Sequence, residues 1–296
     1  FGLLALVVAL ADWRAVLAAL ARVDPAWVAV AVALTGLDRL VLTLRWSLLL
    51  RARGVDPGLP RLLRVQFAAN FLGLFLPGAL GVDALRAGAL ARAGGHLPDV
   101  AAATLVDRAS QVCAWLFVGS VMIVAFAGKS VPAGYTDPVL AASAALLLGF
   151  GLLCVPGVGA RLRRTGARAV PERVARAVGR VLDATLRYRG DRRLWAKVAG
   201  WTLAMFAVRV LSAKAIVIAC GVDVPLATLA VFVPLILIAL MLPITVGGIG
   251  VLEVAWVALL ALVGVPAAVA VGVAFVDHVV ARLATLPGAA FVDDLY

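Results

Sequence analysis

The sequence is poor in charge. Only 15% of its 296 residues are Asp, Glu, Lys or Arg, against about 25% in soluble domains. Hydrophobic residues make up 64%, where soluble domains have about 45–50%. A soluble fold of this length could not remove so much apolar surface from water. The composition therefore indicates a polytopic membrane protein, and it excludes a disordered chain and most nucleic-acid binders.

Residues that commonly bind metals or carry catalysis are also scarce. The chain has three cysteines and two histidines, and its cysteines lie in apolar runs without a CxxC pair. No HExxH, Walker or DxD motif is present. We therefore predict no metal site, no cofactor and no catalytic residue, which favours a protein that is not an enzyme.

Positive charge is concentrated in one stretch of the chain. The segment Arg161–Lys197 holds 12 of the 27 Lys and Arg residues. Loops rich in Lys and Arg lie on the cytoplasmic side of membranes, beside anionic lipid. We predict that residues 157–197 are cytoplasmic, in a bacterial-type plasma membrane, and that the partners are membrane lipids rather than nucleic acid.

Long apolar runs predict the membrane spans. A spanning helix needs about 20 mostly apolar residues. We take Phe1–Ala11 as the remnant of a first span, which makes six spans in total. The other five are Trp27–Leu50, Val100–Ala127, Val139–Val155, Val198–Cys220 and Ala267–Leu286.

Two further apolar regions, Leu62–Ala93 and Leu226–Val263, are interrupted by proline and glycine. If each enters the membrane and returns as a hairpin, the basic loop Arg51–Arg64 falls on the cytoplasmic side. A single crossing would place that loop outside, against the positive-inside rule. The hairpin is therefore the better interpretation. The predicted breaks are Pro77 and Gly81 in the first region, and Pro243, Gly247, Gly248 and Gly250 in the second.

The two halves of the chain resemble each other in the order and spacing of their motifs. A Gly-Val-Asp, a Leu-Pro and a Val-Asp recur 166 to 170 positions apart. We predict one all-α membrane domain over residues 1–296, with repeat 1 at about 27–127 and repeat 2 at about 198–291. A connecting span and the basic segment occupy 138–197. The spans that begin the repeats run in opposite directions, and inverted repeats with broken helices are typical of transporters.

Charged residues inside the predicted membrane region are candidates for function. Burying one costs at least about 2.5–3.5 kcal/mol, and several cluster at or after the breaks. We expect Arg39, Arg45 and Lys214 to form structural ion pairs or to reach the interface. The guanidinium group suits phosphate because its planar fork bonds two oxygens. The predicted substrate-binding residues are Arg86, Arg108 and Arg282 for phosphate, with Asp83, Asp107, Glu253 and Asp277 balancing them or binding a cationic head group.

Several motifs together resemble the lysylphosphatidylglycerol synthase transmembrane (flippase-like) family. They are Arg45–Leu50, Asn70–Leu72, Leu76-Pro77, Gly81–Arg86, Val106–Arg108 and Pro243–Glu253. The resemblance covers roughly Trp13 to Phe291. It implies a polytopic inner-membrane protein that handles lipids with charged or glycosylated head groups. The best-known members also carry a soluble aminoacyl-transferring domain. The longest polar segment here, Gly157–Lys197, is too short for one, so synthesis of aminoacylated lipid is not implied.

The sequence favours translocation of an anionic lipid or lipid-linked precursor between leaflets. The substrate could be a phospholipid, an aminoacyl-phospholipid or a polyprenyl-phosphate-linked precursor. Three alternatives stay open. One is a secondary transporter of a small anion, coupled to protons through Asp107 or Asp277. Another is a membrane transferase with a polyprenyl-linked donor and Glu253 as base, and the third is a non-transporting scaffold.

Overall fold

The computed structural model describes residues 13–76, 78–125, 141, 144, 188, 190–241 and 247–296. These residues form nine α-helices and a terminal 3-10 helix, without a strand. The predicted spans Phe1–Ala11 and Val139–Val155 lie outside the described residues, apart from positions 141 and 144. So do Pro77, Pro243 and positions 157–187 of the basic segment. The helices are α1 Trp13–Leu20, α2 Pro25–Arg51, α3 Leu59–Gly73, α4 Gly78–Arg92, α5 Leu97–Ala125, α6 Arg192–Ala219, α7 Leu226–Met241, α8 Val251–Ala261, α9 Ala267–Thr285 and the 3-10 helix Leu286–Leu295.

Four helical segments of the described residues are long and apolar enough to cross a membrane. They are Pro25–Arg51, Leu97–Ala125, Arg192–Ala219 and Ala267–Leu295, the last running through α9 into the 3-10 helix. Each overlaps one of the predicted spans. Large apolar side chains on these segments face outward: Phe117 and Val124 are each 61% exposed. Exposed apolar surface of this extent suits contact with lipid, so the chain is an integral membrane protein.

Helices α2 and α6 pack antiparallel along most of their length. The Thr35 and Ser212 hydroxyls are 3.1 Å apart. Further along α2, an Arg45 N–H donates to the Thr202 hydroxyl over 3.0 Å. The contacting residues therefore have increasing numbers along α2 and decreasing numbers along α6, which shows that the two helices run in opposite directions. Tyr188 precedes α6, and its buried hydroxyl donates to the Leu49 carbonyl over 2.9 Å. Burial raises the pKa of this phenol.

Capping interactions explain where these two helices begin and end. Asp24 caps α2 through the Ala26 N–H at 2.8 Å, and Asp191 caps α6 through the Leu194 N–H at 2.9 Å. Gly54 follows α2 with φ 74°, and Gly221 follows α6 with φ 72°. In both cases the residue after the glycine donates its N–H five positions back, over 3.0 and 2.9 Å. The left-handed conformation favours glycine, which closes both helices in the same way.

Helices α3 and α4 form the first short pair. Each has 15 residues, or about 22 Å, which is shorter than the roughly 30 Å hydrocarbon core. Arg53, which precedes α3, forms an ion pair with Asp99, which follows α4. The chain therefore leaves this pair at the same end of the molecule where it entered.

Helices α7 and α8 form the second short pair, with 16 and 11 residues. Segments 220–223 and 264–266, on either side of the pair, line one surface cavity. This end of the molecule is where α2 begins, because the Asp24 N–H donates to the Ala219 carbonyl over 2.9 Å. The two short pairs thus open at opposite ends of the α2–α6 pair.

Gly247, which precedes α8, lies close to the residues that follow α3. Gly247 lies so close to the first turn that an added Cβ would be 3.0 Å from the Leu74 carbonyl oxygen. Gly247, Gly248 and Gly250 all have positive φ, at 61°, 76° and 92°, which is strained for any residue with a Cβ. The predicted break in the second region therefore has a backbone that requires glycine.

Candidate functional site

A buried ion network ties the first short pair to its neighbours. The Asp83 carboxylate accepts from Arg86 at 2.5 Å and from two nitrogens of Arg108 at 2.7 and 2.8 Å. Arg86 also donates to the Gln66 side chain over 2.8 Å and lies 4.5 Å from the Trp46 ring. Asp83 and Arg86 share a face of α4 because they are three residues apart. This network joins α3, α4 and α5.

A second buried pair connects α2 to α5. Arg45 Nη2 lies 2.7 Å from Asp107 Oδ1, and both side chains are almost fully buried. Arg45 also donates from Nη2 to the Asp107 backbone carbonyl at 2.6 Å. The other carboxylate oxygen of Asp107 lies 3.6 Å from Arg86 and has no hydrogen-bond partner. The pair therefore completes a network that reaches from α4 to α6 through Thr202.

A cavity of about 210 Å³ lies beside this network, between α2, α6, α7, α8 and α9. It could hold roughly seven water molecules at about 30 Å³ each. Its charged lining consists of Asp38 and Arg39 from α2, Arg209 from α6 and Asp277 from α9, with His278 beside them. Most of the remaining lining is apolar, and Gly247 places the turn of the second short pair at its wall. Such a cavity can accept a polar group while excluding the bulk of the lipid.

The two arginines that line the cavity differ in how closely Asp38 binds them. Arg209 donates to both oxygens of Asp38, at 2.7 and 3.1 Å, and lies 5.0 Å from the Trp115 ring. Arg39 approaches Asp38 only to 3.7 Å. Its Nε is buried without a hydrogen-bond partner, and Arg209, Arg108 and Arg86 lie within electrostatic range. Arg39 therefore has donor capacity that the described residues leave unused.

The side of the cavity formed by α8 and α9 has one lining carboxylate, Asp277, with Glu253 nearby. Glu253 accepts the Gly250 N–H at 2.7 Å and contacts His278 Nε2 at 3.1 Å, which fastens the second turn to α9. Asp277 accepts a hydrogen bond from the Trp256 indole at 2.9 Å. The cavity lining thus has arginines on α2 and α6 and carboxylates on α2 and α9, while Glu253 on α8 lies outside the lining.

The structure distributes the predicted site residues over three places. Asp83, Arg86, Asp107 and Arg108 lie together in the network of the first short pair. Glu253 lies at the second turn, and Arg282 donates to the His278 carbonyl over 3.1 Å. Of the seven predicted residues, only Asp277 lines the cavity.

Sequence reasoning missed Asp38, Arg39 and Arg209 as site residues. Arg39 was expected to be structural, yet its side chain lines the cavity, and its buried Nε has no hydrogen-bond partner. Their positions in the sequence could have identified them, because each of these charged residues interrupts an apolar span well away from its ends. Their proximity depends on the antiparallel register of α2 and α6, which no local pattern in the sequence reveals.

The fold and its charged interior define a class. The described residues are those of an all-helical, polytopic integral membrane protein, with two short helix pairs and a cavity that contains charged side chains. More specifically, the sequence matches the family described as "Lysylphosphatidylglycerol synthase TM region" over residues 1–288, and the chain belongs to this family. It is also similar to a UPF0104 membrane protein of Methanothermobacter thermautotrophicus. The two are 23% identical over 291 aligned residues, which cover 91% of this chain and 83% of that protein.

Proposed function

We propose that the protein translocates the head group of an anionic or lipid-linked phosphate-containing lipid between the leaflets. The head group passes through the cavity while the acyl chains stay in the bilayer. The observation that carries this proposal is Arg39, a cavity arginine with a buried and unpartnered Nε. A guanidinium group recognises phosphate through two parallel hydrogen bonds and keeps its charge when desolvated.

Arg39 and Arg209 have complementary roles in this proposal. Arg209 holds both oxygens of Asp38, so its position is constrained. Arg39, at 3.7 Å from that carboxylate, can turn toward a phosphate at small cost. Arg86 and Arg108 add positive potential from the neighbouring network, where both pair with Asp83. Arg86 also has a buried Nε without a hydrogen-bond partner, but it does not line the cavity.

The architecture supports transport between two sides. We propose that the two short pairs are re-entrant hairpins of an inverted repeat, with their openings facing opposite surfaces. Supporting observations are the matched lengths of α2 and α6, at 27 and 28 residues, and their equivalent glycine ends. Irregular backbone at membrane depth is tolerated where it lines a polar cavity, and broken helices at a repeat interface are where transporters bind substrate.

The remaining functional expectations follow from this arrangement. We propose that the protein is a lipid transporter and not an enzyme. The end of α2 and the start of α6 face the cytoplasm of a bacterial-type plasma membrane, because the basic segment Arg161–Lys197 leads into α6.

A reconstituted transport assay tests the function. Purified protein in vesicles is supplied with fluorescent phosphatidylglycerol, and its movement is followed by dithionite quenching of the outer leaflet. Arg39→Gln should reduce the rate of lipid translocation at least tenfold, because it removes the positive charge and the planar guanidinium group that can bond two phosphate oxygens. Arg39→Lys should be intermediate.

The matched control is Lys214→Gln, a basic residue of α6 whose partner Asp223 is exposed. It should transport at the wild-type rate. Expression and thermal unfolding of each variant are measured in parallel. If well-folded Arg39→Gln and Arg209→Gln variants both transport like the wild type, the cavity is not the path of the phosphate.

A further inference from the structure

We propose that the cavity binds a proton together with the anionic head group, and that Asp277 accepts this proton. This inference rests on the proposed function and adds to it a coupling ion. Translocation of the lipid would then respond to the proton gradient across the membrane.

With both lining carboxylates ionised, the charges of the Lys, Arg, Asp and Glu side chains that line the cavity balance. Arg39 and Arg209 are then opposed by Asp38 and Asp277. A phosphodiester adds one negative charge to this balance. An uncompensated charge inside a membrane protein is costly, so binding a proton on a lining carboxylate restores neutrality. The anion and the proton therefore favour each other's binding, as thermodynamic linkage requires.

Asp277 is the lining carboxylate best placed to take up this proton. Asp38 is held by two hydrogen bonds from Arg209. Among the described residues, no Lys or Arg pairs with Asp277, which accepts from the neutral Trp256 indole at 2.9 Å. Protonation of Asp277 breaks no ion pair, and the oxygen bonded to Trp256 can keep its hydrogen bond.

The ionisable groups around Asp277 come from four of the five helices that form the cavity. Glu253 on α8 and His278 on α9 act on it electrostatically, and the side chain of Arg282 bonds to the His278 carbonyl. Helices α2 and α6 contribute Asp38, Arg39 and Arg209 to the facing wall, and α7 has no ionisable side chain. His278 is the competing proton acceptor, because its imidazole lies beside Asp277 in the lining of the same cavity.

Measurements of lipid binding at equilibrium test whether a proton is taken up with the lipid and whether Asp277 or His278 accepts it. The probe is dihexanoyl-phosphatidylglycerol, whose phosphodiester keeps one negative charge across about pH 5 to 8, so any proton taken up enters the protein. Calorimetry on the purified full chain, in buffers of different ionisation enthalpy, gives both the affinity and the protons taken up per lipid. Wild-type protein should bind more tightly as the pH falls, by up to about tenfold per pH unit where Asp277 titrates.

Two variants show which residue accepts the proton. Asp277→Asn resembles the protonated carboxyl and keeps an oxygen for Trp256, so it should bind tightly at every pH without proton uptake. His278→Gln should retain the pH dependence. Loss of the pH dependence in His278→Gln alone would overturn the assignment to Asp277. Asp223→Asn is the matched control, since Asp223 is exposed and pairs with Lys214, and it should behave as wild type.

The remaining outcomes distinguish this inference from the proposed function. Binding of phosphatidylglycerol at constant affinity, without proton uptake, overturns the proton site but leaves the head-group site intact. Tighter binding of dihexanoyl-phosphatidylethanolamine without proton uptake also overturns it, because the ammonium group would then neutralise Asp277. Failure of the wild type to bind either lipid at any pH refutes the proposed function itself.

Discussion

Replacing Arg45 tests whether the buried ion network holds the helices together. The Arg45 and Asp107 side chains are 0% and 1% exposed, and Nη2 and Oδ1 are 2.7 Å apart. Arg45→Met fills a similar volume but leaves the Asp107 carboxylate buried, with one oxygen already lacking a hydrogen-bond partner. Removing one member of a buried pair costs about 3–5 kcal/mol. We expect this loss in the free energy of unfolding.

Thermal unfolding of the purified protein in detergent measures the effect. A loss of this size should lower the midpoint temperature by on the order of 10 °C. The matched control is Arg51→Met on the same helix. Arg51 pairs with Asp56 at 3.1 Å, but the side chains are 51% and 54% exposed. An exposed pair contributes about 0–1 kcal/mol, so this variant should unfold near the wild-type temperature.

The double variant Arg45→Met/Asp107→Leu completes the test. Apolar replacement of both members of a buried pair is often neutral or stabilising, so most of the lost stability should return. Unfolding of Arg45→Met at the wild-type temperature would refute the reasoning. So would a double variant less stable than Arg45→Met, because the cost would then not come from the uncompensated Asp107 charge.

Two further predictions concern the short helix pairs. Gly247→Ala should destabilise the protein by about 1–2 kcal/mol, because its φ of 61° is left-handed, whereas Gly36→Ala has open space around it and should not destabilise. Equal unfolding temperatures for the two would argue against a left-handed turn at Gly247. Cysteines at Ala52 and His96 should react with an impermeant maleimide from the same side of the membrane, and a cysteine at Asp223 from the opposite side. Labelling of Ala52→Cys and His96→Cys from different sides would exclude the first re-entrant hairpin.

The sequence by itself determined the class of protein and the positions of most helices. Composition alone indicated a membrane protein, and four predicted spans coincide with the long apolar helices of the structure. Glycine also marks positions that need positive φ in the second region, where Gly247, Gly248 and Gly250 all have it. In the first region the predicted break at Gly81 is wrong, because Gly81 lies inside α4 without positive φ. These features depend on local chemistry, namely apolar transfer to lipid and the conformational limits of each residue, so they can be read along the chain.

The seven charged residues selected from the sequence show the limit of that reading. Proximity to the breaks selected Arg86 and Asp107, which the structure places in one buried network. Proximity to the breaks did not select Arg39, although Arg39 lines the cavity. Distance along the chain from a break does not report which way a side chain points into a bundle of several helices.

Only the tertiary structure decided which charges meet. Asp38 and Arg209 are 171 residues apart in sequence, yet their side chains bond at 2.7 Å. Their contact requires α2 and α6 to pack antiparallel in one register, with both side chains at the same depth and facing each other. A shift of either helix by one residue would rotate its side chains by about 100°. Helix packing, which sums many weak apolar contacts along α2 and α6, selects that register and thereby places the arginines, the carboxylates and Gly247 around one cavity.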